Sequence, residues 1–431
     1  MNKKQFSILL ILAILFDAVP CKNLISFADT AIAIISFDSE TALTYAIKDL
    51  NKRGGVIYIN TPVINIKSTT AFVLSGKISG GIVGLKQSNG AYPRIDFKKS
   101  REAGSTDRGF IITGSNKYMK YLIIENAGDN GIWIGGSKNL LDHIIARYNN
   151  DTGIQLSNNA LSNTLNYCYS YRNVDIASYG GNADGFAPKL GASGTVFKYC
   201  FAWDNSDDGW DSYDQEGDYS KDVQYLHSAC WNNGNTAIFT GKYDYDNNKS
   251  LDKNLWTVKQ IMDSDPNFES NYNNRKFSIA NAKIGGMTAE KWLEKAETEM
   301  NGNGFKFGSK YTQQSTEVYR KAVYSVAFDH KNKGFDHNSS KGITGYFANC
   351  VAFNNNINYQ LPYVFEKWAS NWSWNAKTCD QYLQRQGLHI PKDKAQGVKA
   401  FYIIRDQIIK NCEANKFNDD VNFDNVIRAL S

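Results

Sequence analysis

Ala202-Trp203-Asp204-Asn205-Ser206-Asp207-Asp208-Gly209-Trp210-Asp211 is one copy of a degenerate repeat. A small or β-branched residue leads, an asparagine follows three positions later, and glycine with a large apolar residue closes the unit. Ala146 leads to Asn149 and Gly153-Ile154, and Ser170 leads to Asn173 and Gly185-Phe186. Ile123, Asn126 and Gly131-Ile132 form an earlier copy. Ala229 with Asn232, Ala327 with His330 and Gly334-Phe335, and Ala352 with Asn355 continue the series. The asparagines at 126, 149, 173, 205 and 232 are 23, 24, 32 and 27 residues apart. A period in this range marks stacked repeats. Leucine-rich repeats share it, but their Leu-x-x-Leu-x-Leu frame is absent. Short β-rich runs such as Tyr121-Leu122-Ile123-Ile124 and Thr195-Val196-Phe197 alternate with Asn/Gly/Asp corners. The expected fold is all-β, a single-stranded parallel β-helix in which each repeat is one coil. Its stacked asparagines are expected to form an inward ladder of hydrogen bonds.

The spacing from asparagine to glycine locates insertions. It widens between Asn173 and Gly185, and again between Asn232 and Gly304. Both widenings fall at one corner, and inserts on one face of a solenoid usually mark its binding face. The larger insert, about 234–302, carries a helical pattern from Thr288 to Met300 and reads as a lid or wall.

The ends of a solenoid expose its core and need covers. Ser39 to Asn51 reads as a helix with apolar residues at 43, 46, 47 and 50, followed by a strand at Gly54-Gly55-Val56-Ile57-Tyr58-Ile59. This helix is expected to cap one end. Residues 361–431, Trp-rich at first and helical from Phe401 to Glu413, are expected to cover the other end, leaving 29–360 as the β-helix domain. Lys3 and Lys4 precede an apolar run from Phe6 to Phe16 that is too short to span a membrane, and Ser26-Phe27-Ala28 offers a cleavage site. Residues 1–28 therefore read as a signal peptide of a secreted protein. Among 431 residues the net charge is +5, with no basic run or basic helix. Neither nucleic acid nor a membrane is an expected partner, and a monomer is expected. Cys168 and Cys200 share one repeat position and read as stacked core residues rather than a disulfide.

Aligning the coils on glycine gives a register. One residue past it stand Ile132, Ile154, Phe186, Trp210, Phe305 and Phe335, all large and apolar, so this position points inward. Strand side chains alternate, so Trp133, Gln155, Ala187, Asp211, Lys306 and Asp336 point outward. Asp211 and Lys306 are then neighbours across the insert. Asp184 and Asp208 share the position before glycine, and Asp207 adjoins Asp208. Four carboxylates in one patch repel unless neutralised. Calcium, a hard cation taking six to eight oxygens, suits them. Zinc does not, since no His or Cys joins the cluster. The bland alternatives are that Asp-Gly is an ordinary turn dipeptide and that Lys306 makes an ordinary salt bridge to Asp211 or Asp336.

These residues resemble the family 9 polysaccharide lyases. The resemblance lies in Asn182–Phe186, Trp203–Asp211, Gly302–Lys306 and Asn332–Asp336, with Gly54–Asn60 and Gly80–Gly84 also similar, and runs from about residue 40 to 358. It implies a right-handed, pectin-lyase-like β-helix that cleaves acidic pectic polysaccharide by β-elimination. Carried over by position, Asp184, Asp207, Asp208 and Asp211 would hold calcium and Lys306 would be the Brønsted base. The insert at 234–302 is longer than the family pattern and bears on which polymer is cut. Lys189, Tyr213, Tyr243 and Asp336 are candidate substrate contacts. A rhamnogalacturonan lyase of the same family is the nearest alternative. A polygalacturonase-type hydrolase using Asp184, Asp207 and Asp208 is another, but its Gly-His-Gly and Arg-Ile-Lys motifs are absent. A non-catalytic pectin-binding β-helix is the third.

Overall fold

The computed structural model describes residues 30–98, 107–175, 178–215, 217–237, 289–309, 318–340, 342–361, 367–378 and 387–430. Residues 1–28, expected from the sequence to be a signal peptide, most of the insert, Tyr243 and Cys379 lie outside them.

Every ladder between the described strands is parallel, as coil-on-coil stacking requires. One sheet has nine strands: β1 (Phe72–Leu74), β2 (Phe110–Ile112), β3 (Ile132–Ile134), β4 (Ile154–Leu156), β5 (Phe186–Pro188), β6 (Trp210–Asp211), β7 (Phe305–Lys306), β8 (Lys333–Asp336) and β9 (Ile357–Gln360). The other nineteen form a second network. Beyond Arg147 it runs as two rows, one through Thr164, Val196 and Gln224, the other through Tyr169, Phe201 and Ala229. The chain is a right-handed parallel β-helix, as the repeat implied.

The inward column is as expected. Ile132, Ile154, Phe186, Trp210, Phe305 and Phe335 are all fully buried, and Tyr359 extends them. Ring centroids from Phe186 through Trp210, Phe305, Phe335 and Tyr359 are 4.9, 4.6, 5.0 and 4.9 Å apart, close to the strand spacing that sets them. The asparagine ladder is also present. Nδ2 of Asn149, Asn173 and Asn205 each donates to Oδ1 of the next member, at 3.0, 2.9 and 3.0 Å.

Two coils differ by one residue from the expected register. Strand pairing sets Ala202 against Cys230 and Ala146 against Ile124. The ladder residue is Asn233, not Asn232, and Ala127 stands where Asn126 was expected. Asn126 and Asn232 instead turn the corner with left-handed backbone, φ 64° and 55°. The reason is that Ala229 and Cys230 are both small, and Asn232-Asn233 is a doublet, so spacing alone does not choose between them. Cys168 and Cys200 are buried free thiols.

The first helix, α1 (Glu40–Arg53), begins where the Ser39 hydroxyl accepts the Ala42 N–H at 3.1 Å. Leu43, Ala46, Ile47 and Leu50 enter the same core as Ile57, Ile59 and Ile82. It stops at Gly54, whose φ is 74° and where a Cβ would lie 2.4 Å from the Ser79 carbonyl. Within the insert, α2 (Ala289–Glu299) matches the helical pattern. Its Trp292 and Ala296 are buried, as is Met300 just beyond.

The tail is helical, but its position differs from an end cap. Strands continue through Lys367–Ala369 and Trp372–Trp374, past the expected boundary at 360. Then α3 (Lys394–Glu413) and α4 (Asp424–Arg428) lie along the flank. Phe401 packs on Phe353, Arg147 donates to the Cys412 carbonyl, Phe417 meets Tyr92, and Phe423 meets Phe201 and Trp231. The physical cause is the outward row of Tyr169, Tyr171, Phe201, Trp203, Trp231, Phe328 and Phe353. This apolar face would otherwise be in water.

Candidate active site

The corner before the nine-stranded sheet carries the acids. Residues immediately before the glycines stack as Thr152, Asp184, Asp208, Asn303 and Lys333, and each of the first four side chains accepts the backbone N–H of the next residue in the stack. Thr152 Oγ1 accepts from Asp184 at 3.2 Å, Asp184 Oδ1 from Asp208 at 3.2 Å, Asp208 Oδ1 from Asn303 at 2.7 Å, and Asn303 Oδ1 from Lys333 at 3.3 Å. Asp207 Oδ1 accepts the Asn301 N–H at 2.8 Å. Carboxylate oxygens of Asp184, Asp207 and Asp208 lie within 4.8 Å of one another, a grouping able to hold a metal ion.

Asp211 stands one strand residue past Trp210 and pairs in register with Lys306, which pairs in turn with Asp336. The Lys306 Nζ lies 3.0 Å from Asp208 Oδ2 and 3.3 Å from Asp211 Oδ1. Lys189, just past β5, places its Nζ 2.9 Å from Asp184 Oδ2 and 3.0 Å from Asp211 Oδ2. Asp211 therefore joins the other acids through two ammonium groups. Although they lie on the outer face of the sheet, Asp211 is only 4 % and Lys306 8 % exposed.

Burial raises the carboxyl groups of Asp184, Asp207 and Asp208 to about 7, with their acidic neighbours adding to it. Burial acts on Asp211 too, but Lys189 and Lys306 outweigh it and hold that carboxyl below the usual range. Burial alone works against the Lys306 ammonium. The surrounding aspartates, Asp208 and Asp211 foremost, outweigh it and hold its pKa well above the ordinary lysine value.

The chain belongs to the Pel9A-like right-handed β-helix family. The model of that family matches residues 26–249. Similar relatives include a pectate lyase L of Paenibacillus polymyxa (strain SC2), 38% identical over 181 residues, covering 39% of this chain and 40% of that protein. A pectate lyase L of Dickeya chrysanthemi is 27% identical over 332 residues, covering 75% and 63%. The chain thus spans less than two thirds of the length of these curated relatives. Among solved structures, pectate lyase Pel9A matches with TM-score 0.54 at 23% identity, covering 80% of this chain and 75% of that one. A rhamnogalacturonan lyase matches with TM-score 0.54 at 18% identity, covering 85% and 86%. At these identities the structural likeness concerns the fold.

Within this Pel9A-like frame, Asp184, Asp207, Asp208, Asp211, Lys306 and Lys189 come together. Asp336 does not join them. It is 1 % exposed, its Oδ2 lies 3.0 Å from the Lys333 Nζ, and its Oδ1 accepts the Asn338 N–H, so both oxygens are engaged within the protein. Tyr213 is half-buried two residues past Asp211, and its carbonyl accepts the Leu190 N–H beside Lys189. Asn301, Asn303 and Lys333 carry no site role in the sequence reading, though Asn303-Gly304 and Lys333-Gly334 occupy the same place in the repeat as Asp208-Gly209.

Proposed function

We propose that the chain is a secreted, calcium-dependent pectate lyase that cleaves the α-1,4 bonds of polygalacturonate by β-elimination. The observation that carries this reading is the position of Lys306, held between Asp208 and Asp211 beside the three-carboxylate group.

Calcium fits the residues present. The donors are all oxygens, and with all four carboxylates ionised against two ammonium groups the cluster carries an excess of two negative charges for a cation to offset. Asp184, Asp207, Asp208 and Asp211 would hold the ion. When bound, it supplies positive charge that neutralises the uronate carboxylate and favours the charge developing at C5. Lys306 acts as the base and must lose its proton first, so turnover rises toward alkaline pH. Its Nζ takes the C5 proton. The C–H electron pair becomes the C4–C5 double bond while the C4–O glycosidic bond breaks, and the departing oxygen takes a proton from water. Lys189, partly exposed at the edge of the cluster, pairs with a substrate carboxylate.

The test sets polygalacturonate against rhamnogalacturonan, each with calcium and with chelator, and follows the ultraviolet absorbance of unsaturated uronide. The expected result is absorbance with polygalacturonate and calcium alone. New reducing ends without absorbance would make the protein a hydrolase, and binding without products would make it a pectin-binding protein. Absorbance only with rhamnogalacturonan would reassign the polymer. Export through residues 1–28 is part of the same reading. N-terminal sequencing of protein from the culture medium checks it, and an intact Met1 there would refute cleavage.

A further inference from the structure

The residue that closes the acid column is neutral. Asn303 follows Asp184 and Asp208 in the pre-glycine stack and is 5 % exposed. Its backbone N–H and its Nδ2 both donate to one oxygen, Asp208 Oδ1, at 2.7 and 2.9 Å. The other oxygen of Asp208, Oδ2, faces the Lys306 ammonium at 3.0 Å and, among the described residues, receives no other donor despite full burial. The Asn303 Oδ1 accepts the Lys333 N–H, which fixes the amide so that Nδ2 must point at Asp208. The carboxylate is thus clamped by two donors on one side and presented on the other.

We infer that Asn303 is a positioning residue that aims Asp208 Oδ2 at the site shared by the cation and Lys306. The inference rests on the metal reading above and adds a residue behind its ligands. Partners that orient a metal-binding carboxylate typically change metal affinity by about 10–100-fold when removed. A second role follows from charge. Another carboxylate at this place would stand within hydrogen-bond distance of Asp208 and add a third negative charge to the column beside Asp184 and Asp208, which a neutral donor avoids.

The chain contains its own control. Thr152 occupies the same column one coil before Asp184, where its hydroxyl lies 3.2 Å from Asp184 Oδ2. A threonine is therefore compatible with the column, but its hydroxyl faces the following coil, whereas Asn303 Nδ2 faces the preceding one. The experiment measures calcium binding by titration calorimetry on the full-length protein, with thermal unfolding as the check on folding. Asn303→Ala and Asn303→Thr, the second a residue the column already holds at Thr152, should each bind calcium about 10–100-fold more weakly with an unchanged transition shape. In turnover, Asn303→Ala should need more calcium for half-maximal rate, while KM for substrate at saturating calcium stays near wild type. Calcium affinity within twofold of wild type in Asn303→Ala or in Asn303→Thr would overturn the inference. Wild-type protein that binds no calcium would instead overturn the metal reading and this inference with it.

Discussion

Lys306 and Asp211 face each other across adjacent parallel strands, Nζ to Oδ1 at 3.3 Å, on either side of the long insert. A base held this way is positioned by the sheet rather than by a loop. Replacing it by alanine should lower the rate of unsaturated-product formation by about 10²–10⁴-fold, the usual contribution of a positioned general base. Calcium affinity measured by calorimetry should not fall, because Asp208 and Asp211 lose a competing ammonium. Retained turnover in Lys306→Ala would remove it from the reaction.

Without calcium the acid cluster should make stability depend on pH. Asp184, Asp207 and Asp208 rise from 3.8 to about 7 in the folded protein. Groups raised on folding contribute stability that is present below the unfolded value and lost as pH rises through the folded one. Thermal unfolding in chelator should therefore fall by several degrees between about pH 4 and pH 7. Asp211, lowered on folding, works in the opposite direction, but its contribution is lost only below that window. Calcium should flatten the curve, and a chelated protein equally stable at both pH values would contradict the burial argument.

The asparagine ladder should be costly to interrupt. Asn205 Nδ2 donates to the Ser170 carbonyl and to Asn233 Oδ1, while its Oδ1 accepts from the backbone and side-chain nitrogens of Asn173. Asn205→Ala leaves those buried partners unpaired, at about 1–3 kcal/mol for each unsatisfied group. Urea denaturation should show the loss, with the larger effect on stability and a smaller one on KM.

The flank helix gives a contrasting case. Phe401 is fully buried against Phe353 and Phe423, in the aromatic cluster that includes Tyr169, Phe201 and Trp231. Phe401→Ala should destabilise the protein by about 3–5 kcal/mol. The calcium affinity of the surviving folded fraction should match wild type.

The register of the nine-stranded sheet was legible because glycine followed by a large apolar residue sets strand phase on both sides of the insert. Asp211 and Lys306 could be paired from that alone. The same spacing was ambiguous where small residues or asparagines come in doublets, at Ala229-Cys230 and Asn232-Asn233, and there the reading slipped by one. Lys189 could be named as a candidate substrate contact, but not its contact with two of the acids, because a long side chain reaches positions that a register does not specify. Asp336 sits in the right column, yet Lys333, three residues before it, takes its charge. The path of α3 had no sequence signal, since an apolar helix covers an end or a flank equally well.

The path of that tail changes how the solenoid should come apart. In a simple stack each coil touches only its neighbours, so unfolding can begin at either end and travel inward. Here one segment contacts Phe353 near one end, Arg147 and Tyr92 toward the other, and then doubles back to Trp231. Peeling a terminal coil removes part of the seat of a helix shared with distant coils. Fraying is thereby coupled across the rod, and the array should melt as one cooperative unit, much as a bound spine holds its pages.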